Sequence, residues 1–417
     1  MEYQVSEKVQ VLFNKVTSLP AVQKAFDYIR EDEAYSLEEQ IELTLIEAPT
    51  FHEAARAAAF CEKLKALGLD DAYVDEFGNA IGRWKGTGDG PTVLLEAHLD
   101  TVFPFGSVKE VRREGGRLHA PGIVDDTRGL AIVLAALRGL KASGLHTRGD
   151  ILFVGTSREE GMGSLGGMKD LLNAHPEIEA SISVDGPDPE YITYRATGFK
   201  TCEINFYGIG GHAYGAFGQM ANPLHAAARF VAKVADFQVP AEPKTTFCVS
   251  NFHAGNDAGI HAIVPKATVK INYRSNSPTE LEKLHKMVFD AVQAACDEET
   301  ARWGKDTITW DSVTYCDVPA GDQDLHAPLV ESTYLAAKLV SKDPGKVKFA
   351  ASGCVNGNIA VAKGLPCVTV GDGPKECNVH NLAESFDPEG CWRLPQEVFL
   401  LTLLAAGIDG ETESVIR

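Results

Sequence analysis

Residues 92–100, TVLLEAHLD, decide the fold. A run of branched apolar side chains ends on a histidine without helical spacing, which reads as a buried strand. Outward from it the chain alternates. RGLAIVLAALRGLKASG (128–144) reads as a helix, ILFVGTS (151–157) as a strand, LGGMKDLLNAH (165–175) as a helix and SISVD (181–185) as a strand. Such alternation predicts βαβ units around a mostly parallel mixed sheet with helices on both faces, an α/β fold. Ligands collect at the carboxyl ends of strands in open sheets of this type. His98 ends one strand, Glu159 and Glu160 follow the next, and Asp185 ends a third.

Upstream, Val9, Leu12, Phe13 and Val16 recur at helical spacing, Ser36 offers a helix cap with acids in the first turn, and HEAARAAAFCEKLKALG (52–68) reads as a helix closed by Gly68. Between them and residue 92, AYVDEF and NAIGRWKG read as short strands. A second pattern occupies residues 198–316: strand FKTCEINFYG, helix NPLHAAARFVAKVADF, strands TTFCVSNF and ATVKINYRS, a long helix from Pro278 toward Trp303, and strand TITWDSVTY. This segment is expected to be a smaller α+β domain inserted into a discontinuous domain of residues 1–197 and 317–417. The first pattern then resumes with a helix in APLVESTYLAAKLV, a buried strand in PCVTVGDG and a closing helix from Pro395 to Gly407.

A chain of 417 residues exceeds what one ordinary core supports, which agrees with two domains. Its formal net charge of -19 repels phosphate backbones and anionic lipid, so neither nucleic acid nor a membrane is an expected partner. No apolar run is long enough to span a bilayer, and the first residues lack the pattern of a secretory signal. Nine scattered cysteines without a CxxC pair suit reduced thiols in a cytoplasm.

Five side chains stand where strands or loops would bring them to one pocket: His98, Asp125, Glu160, Asp185 and His380. Two imidazoles and three carboxylates, with Glu159 to spare, are what a two-metal hydrolase requires. Each has a plainer reading alone. His98 is also a histidine satisfied by nearby backbone, Asp125 and Asp126 are also helix caps, and Asp185 and His380 are also turn residues. Glu159-Glu160 says more, because adjacent acids beyond an apolar strand repel unless positive charge lies beside them. The glycine-rich GMGSLGG loop is not followed by Gly-Lys-Ser/Thr and is not read as a phosphate cradle.

The motifs EAHLDTV, GIVDDTRGLA, TSREEGMGS, SVDGP, GIGGHA and NVHNLAE, in this order, resemble the M20 metallopeptidases, the aminoacylase and glutamate carboxypeptidase group, and most of all its peptidase T-like members. The resemblance implies a zinc-exopeptidase-like catalytic domain with an inserted lid and dimerisation domain. It implies two Zn2+ per chain, one held by His98, Asp125 and Asp185 and the other by Asp125, Glu160 and His380; Mn2+ or Co2+ would also suit such donors. Glu159 becomes the general base, Asp100 the carboxylate behind His98, and the Asp125-Asp126 peptide cis. His212 would reach across a homodimer to the oxyanion, while Arg274 would grip a substrate carboxylate and His261 stands at the lid position that usually carries asparagine.

Two other departures lie near the substrate: Thr127 replaces the usual lysine, and Ser352-Gly353-Cys354 replaces a commoner glycine-rich stretch. The expected activity is hydrolysis of short peptides from the N-terminus by metal-activated water, with a dipeptide, tripeptide or acyl amino acid as substrate. The alternatives are an amidohydrolase of the same fold, acting as a deacylase or carboxypeptidase, and a non-catalytic metal- and peptide-binding protein. Retention of Glu159, which binds no metal in this scheme, argues against the last. The inserted segment argues against an M28-type aminopeptidase, which has similar ligands without it.

Overall fold

The computed structural model describes residues 3–186, 190–303, 308–350, 353–371 and 376–417. The chain forms two compact units, Met1–Ala196 with Asp322–Arg417, and Thr197–Gly321.

In the first unit, helices α1 (Glu7–Ser18), α2 (Pro20–Glu31), α3 (Glu33–Thr44) and α4 (Ala54–Ala66) lead into β1 (Tyr73–Val74), β2 (Ala80–Trp84) and β3 (Thr92–His98). There follow β4 (Arg112–Glu114), β5 (Arg117–His119), α5 (Thr127–Ser143), β6 (Ile151–Thr156), α6 (Gly166–Ala174), β7 (Ile178–Val184) and β8 (Tyr191–Ile192). The main sheet has the order β1-β2-β6-β3-β7-β16, with β16 at Cys367–Val370. Strands β6, β3, β7 and β16 are parallel, and β2 joins β6 antiparallel.

Period-two alternation sorts β3 between two faces. Val93, Leu95 and Ala97 enter the large core shared with α5 and with α11 (Arg393–Ala406), whereas Glu96 on the opposite face bonds Asn356 at the start of α10 (Gly357–Ala362). Helix α5 is buried along nearly its whole length, and α2, α3 and α11 pack against it. Ser36 does not cap a helix as its sequence context suggests. Only Asp32 separates α2 from α3, so the helix is under way by Glu33 and Ser36 lies buried within it, 3.3 Å from an Arg128 nitrogen.

A second, four-stranded sheet, β17-β18-β5-β4, was not legible in the sequence. Here β17 is Glu376–Cys377 and β18 is Ser385–Phe386; the chain leaving β5 carries Asp125, and the connection between β17 and β18 carries His380. The unit is completed by α9 (Pro328–Val340) and by β15 (Lys348–Phe349), which pairs with β8.

The second unit has the sheet order β11-β13-β9-β14, all antiparallel, from β9 (Gly198–Tyr207), β11 (Thr245–Ala254), β13 (Lys266–Ser275) and β14 (Thr309–Val318). Cys202, Ile204 and Phe206 alternate inward with Val269, Ile271 and Tyr273. They pack against Phe230 and Val234 of α7 (Pro223–Ala235) and Leu284, Val288 and Val292 of α8 (Pro278–Trp303). A two-stranded ribbon pairs β10 (Gly211–His212) with β12 (Ala262–Ile263). Strand β14 runs two residues past Cys316, so this unit extends beyond the boundary read from the sequence. No helix among the described residues is long and apolar enough to cross a membrane.

Candidate metal centre

The parallel strands deliver three of the five expected ligands, and Glu159 with them, as strand ends do. His98 closes β3, Asp185 follows β7, and Glu159 and Glu160 stand just beyond β6, after a left-handed Arg158 with φ +54°. The small sheet delivers the other two. Asp125 lies between β5 and α5, and His380 lies between β17 and β18 in a loop where Asn378 and His380 both take positive φ.

These pieces converge. His98 Nε2 lies 2.9 Å from Asp125 Oδ1, and His380 Nε2 lies 2.9 Å from Asp125 Oδ2 and 2.8 Å from Glu160 Oε1. Asp125 thus turns one oxygen to each imidazole. Ligand atoms of His98, Asp125 and Glu160 lie within 4.8 Å of one another, as do those of His98, Glu159 and Asp185. Of the aspartate pair, Asp126 has the capping role: its Oδ1 accepts from Gly129 N at 3.0 Å and its Oδ2 from His98 N at 2.8 Å. Glycine is required at 129, since a Cβ there would overlap the Asp126 carboxylate and the Val184 carbonyl. The Asp125-Asp126 peptide is cis.

Charge in this pocket is badly matched without cations. Burial lifts the Glu159 carboxyl well above its ordinary range, and although His98 opposes this, the like charges of Asp185, Glu160 and Asp100 reinforce it. Burial likewise pushes Asp185 up to about 8. His98 is raised far above an ordinary imidazole; burial opposes its charge, but bonds to Asp100 and Asp125 outweigh it. His380 is raised to about 10 by its bonds to Asp125 and Glu160. Desolvation would raise the partly buried Asp125 as well, yet its bonds to the two histidines hold it below the carboxylate range. The cluster thus stabilises positive charge, and its oxygen and nitrogen donors without thiolate fit a divalent ion such as zinc.

Residues that sequence reasoning passed over hold the donors in place. Glu384 is fully buried and accepts from Gly122 N at 2.9 Å, Val124 N at 2.8 Å and Asp125 N at 3.2 Å. It stands four residues after His380, inside the NVHNLAES stretch, which was the available signal. The Arg56 guanidinium donates to the carbonyls of Ile46 and Leu99 and faces Asp100 and Asp126. Burial lowers it to about 10, so it remains a cation. Glu96 is buried two residues before His98, where burial raises it to about 7; Asn356 and the Thr156 and Ser183 hydroxyls donate to it.

A sequence profile of peptidase family M20/M25/M40 matches residues 94–396, most of the chain and all five candidate ligands. The chain belongs to the M20/M25/M40 peptidase family. Solved structures with the same fold include a tripeptidase from Staphylococcus aureus and aminopeptidase PepT from Bacillus cereus. Each is 21% identical, with 88% of this chain and 97% of that chain covered and a TM-score of 0.71. A dinuclear metal-binding M20 peptidase from Bacillus subtilis is 14% identical over 90% of this chain and 99% of its own, at a TM-score of 0.63.

The other expected positions of this M20 chain are placed as follows. Asp100 stands behind His98, with its Oδ1 3.6 Å from His98 Nδ1, and it also holds the acidic turn. Its two oxygens accept from Glu159 N at 2.9 Å and Glu160 N at 3.0 Å, and its backbone carbonyl meets His98 Nδ1 at 3.0 Å. Thr127 is buried, donating to the Gly122 carbonyl and lying 2.8 Å from the Thr44 hydroxyl. In the inserted unit, His212 is exposed on the β10–β12 ribbon, and its Nδ1 accepts from the Tyr214 and Gly215 amides at 3.2 Å. That leaves the proton on Nε2. His261 is also exposed, and its carbonyl accepts from Ala213 N at 2.8 Å. Arg274 is exposed on β13, over the Phe199 ring and bonded to Asn272. Gly353 is tied to the Arg195 carbonyl at 3.2 Å, while Ser352 lies outside the described residues.

Proposed function

We propose that this M20 peptidase is a cytoplasmic dinuclear-zinc exopeptidase that releases the N-terminal residue of short peptides. The observation that carries this reading is Asp125, whose two oxygens face His98 and His380 separately while Glu160 closes the far side. A carboxylate so placed suits sharing between two cations, with His98 and Asp185 completing one set and Glu160 and His380 the other. The tripeptidase and aminopeptidase activities named for two structural relatives guide the choice of substrate.

When bound, such ions polarise the amide carbonyl and acidify a water. Glu159 takes that proton and passes it to the leaving amine, a role that suits a buried carboxyl with raised proton affinity. Asp100 fixes the turn that aims it. In a homodimer built through the inserted domain, the partner subunit's His212 donates its Nε2 proton to the developing oxyanion. Arg274 pairs with the substrate carboxylate, and His261 borders the same pocket.

Metal analysis of the purified protein should find about two ions per chain. Replacing Glu159→Gln should leave that content unchanged and lower kcat by about 10²- to 10⁴-fold on free-amine tripeptides. Undiminished turnover by the variant would remove Glu159 from the mechanism. Equal cleavage of N-acylated and free-amine peptides would move the assignment to a deacylase.

A further inference from the structure

Two loops run side by side next to the metal centre. Thr101, which follows Asp100, donates to the Ala48 carbonyl at 2.9 Å and accepts from Thr50 N at 3.3 Å. From these loops Phe51 and Phe105 project with 57% and 62% of their surface exposed, and Val102 beside them is also exposed. The His52 and Phe105 rings sit 5.6 Å apart at a tilt. Apolar groups gathered in the open beside polar surroundings mark a binding surface more often than isolated ones do.

The rim is fixed rather than loose. Glu47 accepts from Gly106 N at 2.9 Å and Val108 N at 2.7 Å, which pins the loop that carries Phe105. Glu53 holds the other. One of its oxygens accepts from Phe51 N at 2.9 Å and from Arg158 N at 3.0 Å. Both residues are left-handed, at φ +71° and +54°. A phenyl-bearing residue is strained in that region, where glycine would not be, and such strain gathers at working sites. Arg158 immediately precedes Glu159 and Glu160, so a single carboxylate oxygen sets where the ring stands relative to that acidic turn.

We propose that Phe51, His52 and Phe105 form a side-chain subsite selecting substrates with an aromatic or bulky aliphatic residue next to the scissile bond. This rests on the hydrolytic reading above. His52 and Phe105 pack on each other as a tilted pair, so a substrate side chain would lie against their outer faces and the exposed Phe51 ring, where glycine or alanine would bury little.

The test compares wild type with Phe51→Gly/Phe105→Ala on tripeptides carrying Phe or Leu against Gly or Ala on either side of the cleaved bond. Both kcat/KM and equilibrium binding by calorimetry are measured. The bulky-over-small ratio should fall by about 10- to 100-fold in both readouts. The glycine relieves the strain at 51, and Phe105→Ala alone removes an exposed ring, so this single variant should fold and shift the ratio in the same direction. A ratio unchanged by the substitutions, or no bulky preference in wild type, overturns the subsite. So does a change of oligomeric state with the ratio intact, which would make the rim a contact between copies. If metal-loaded wild type binds bulky peptides selectively through this rim yet hydrolyses none, the peptidase assignment falls and the subsite stands.

Discussion

Asp125 can face two imidazoles only if its backbone is held still, and Glu384 holds it through three amides drawn from residues 122–125. Removing that acceptor leaves buried N–H groups unpaired and lets the Asp125 turn relax. Glu384→Ala should therefore weaken metal affinity by about 10- to 100-fold, measured by competition with a chelating dye. Glu384→Gln keeps one carbonyl oxygen for two of the amides and should lose less; equal affinity in both variants and wild type would show that Glu384 does not position the ligand. The candidate ligands that converge were legible, because each sits at a strand end or Gly-flanked turn within a familiar motif. Glu384, Arg56 and Glu53 were not, since they hold backbone groups, most of them distant in sequence, that the fold brings near. The Asp125-Asp126 pair was ambiguous for a different reason: capping and metal binding ask for the same side chain, and here Asp126 caps while Asp125 is left facing the imidazoles.

The main-sheet strands announced themselves through apolar runs such as TVLLEAH and ILFVGT, whereas β4, β5, β17 and β18 are two or three residues long and have no period to read. The sheet they form nevertheless delivers two of the five expected ligands. Helix α11 was predicted from its apolar pattern, but Glu397 within it is fully buried with both carboxylate oxygens unpartnered. Burial, with Glu190 adding like charge, raises its carboxyl well above the ordinary 4.5. The folded protein therefore retains a proton that the unfolded chain releases, so stability is greatest below pH 4.5 for this group and falls as pH rises toward the folded value. Glu397→Met removes that dependence. At fixed metal, thermal melts should show the variant gaining several degrees at pH 7.5, with about 2–4 °C for each kcal/mol in a domain of this size, and the gain shrinking toward pH 4.5. A variant less stable than wild type at pH 7.5 would contradict an unpaired buried acid.

At the scale of the whole molecule, the proposed mechanism draws on both units: the candidate metal donors and Glu159 belong to one, and His212, His261 and Arg274 to the other. If the partner subunit's His212 serves each active site, two defects in different chains should compensate. A Glu159→Gln chain cannot move the proton but still offers His212; a His212→Ala chain lacks the donor but retains Glu159. In their mixed dimer, the site on the His212→Ala chain receives both groups intact, while the other site lacks both. After equimolar mixing and random subunit exchange, half the dimers are mixed and about a quarter of all sites are complete. Activity should then rise from the low level of either variant alone to about a quarter of wild type, measured after a dissociation and reassociation cycle that itself leaves wild type active. If His212 instead acted within its own chain, no mixed site would be whole, and the mixture would stay at the level of its parts.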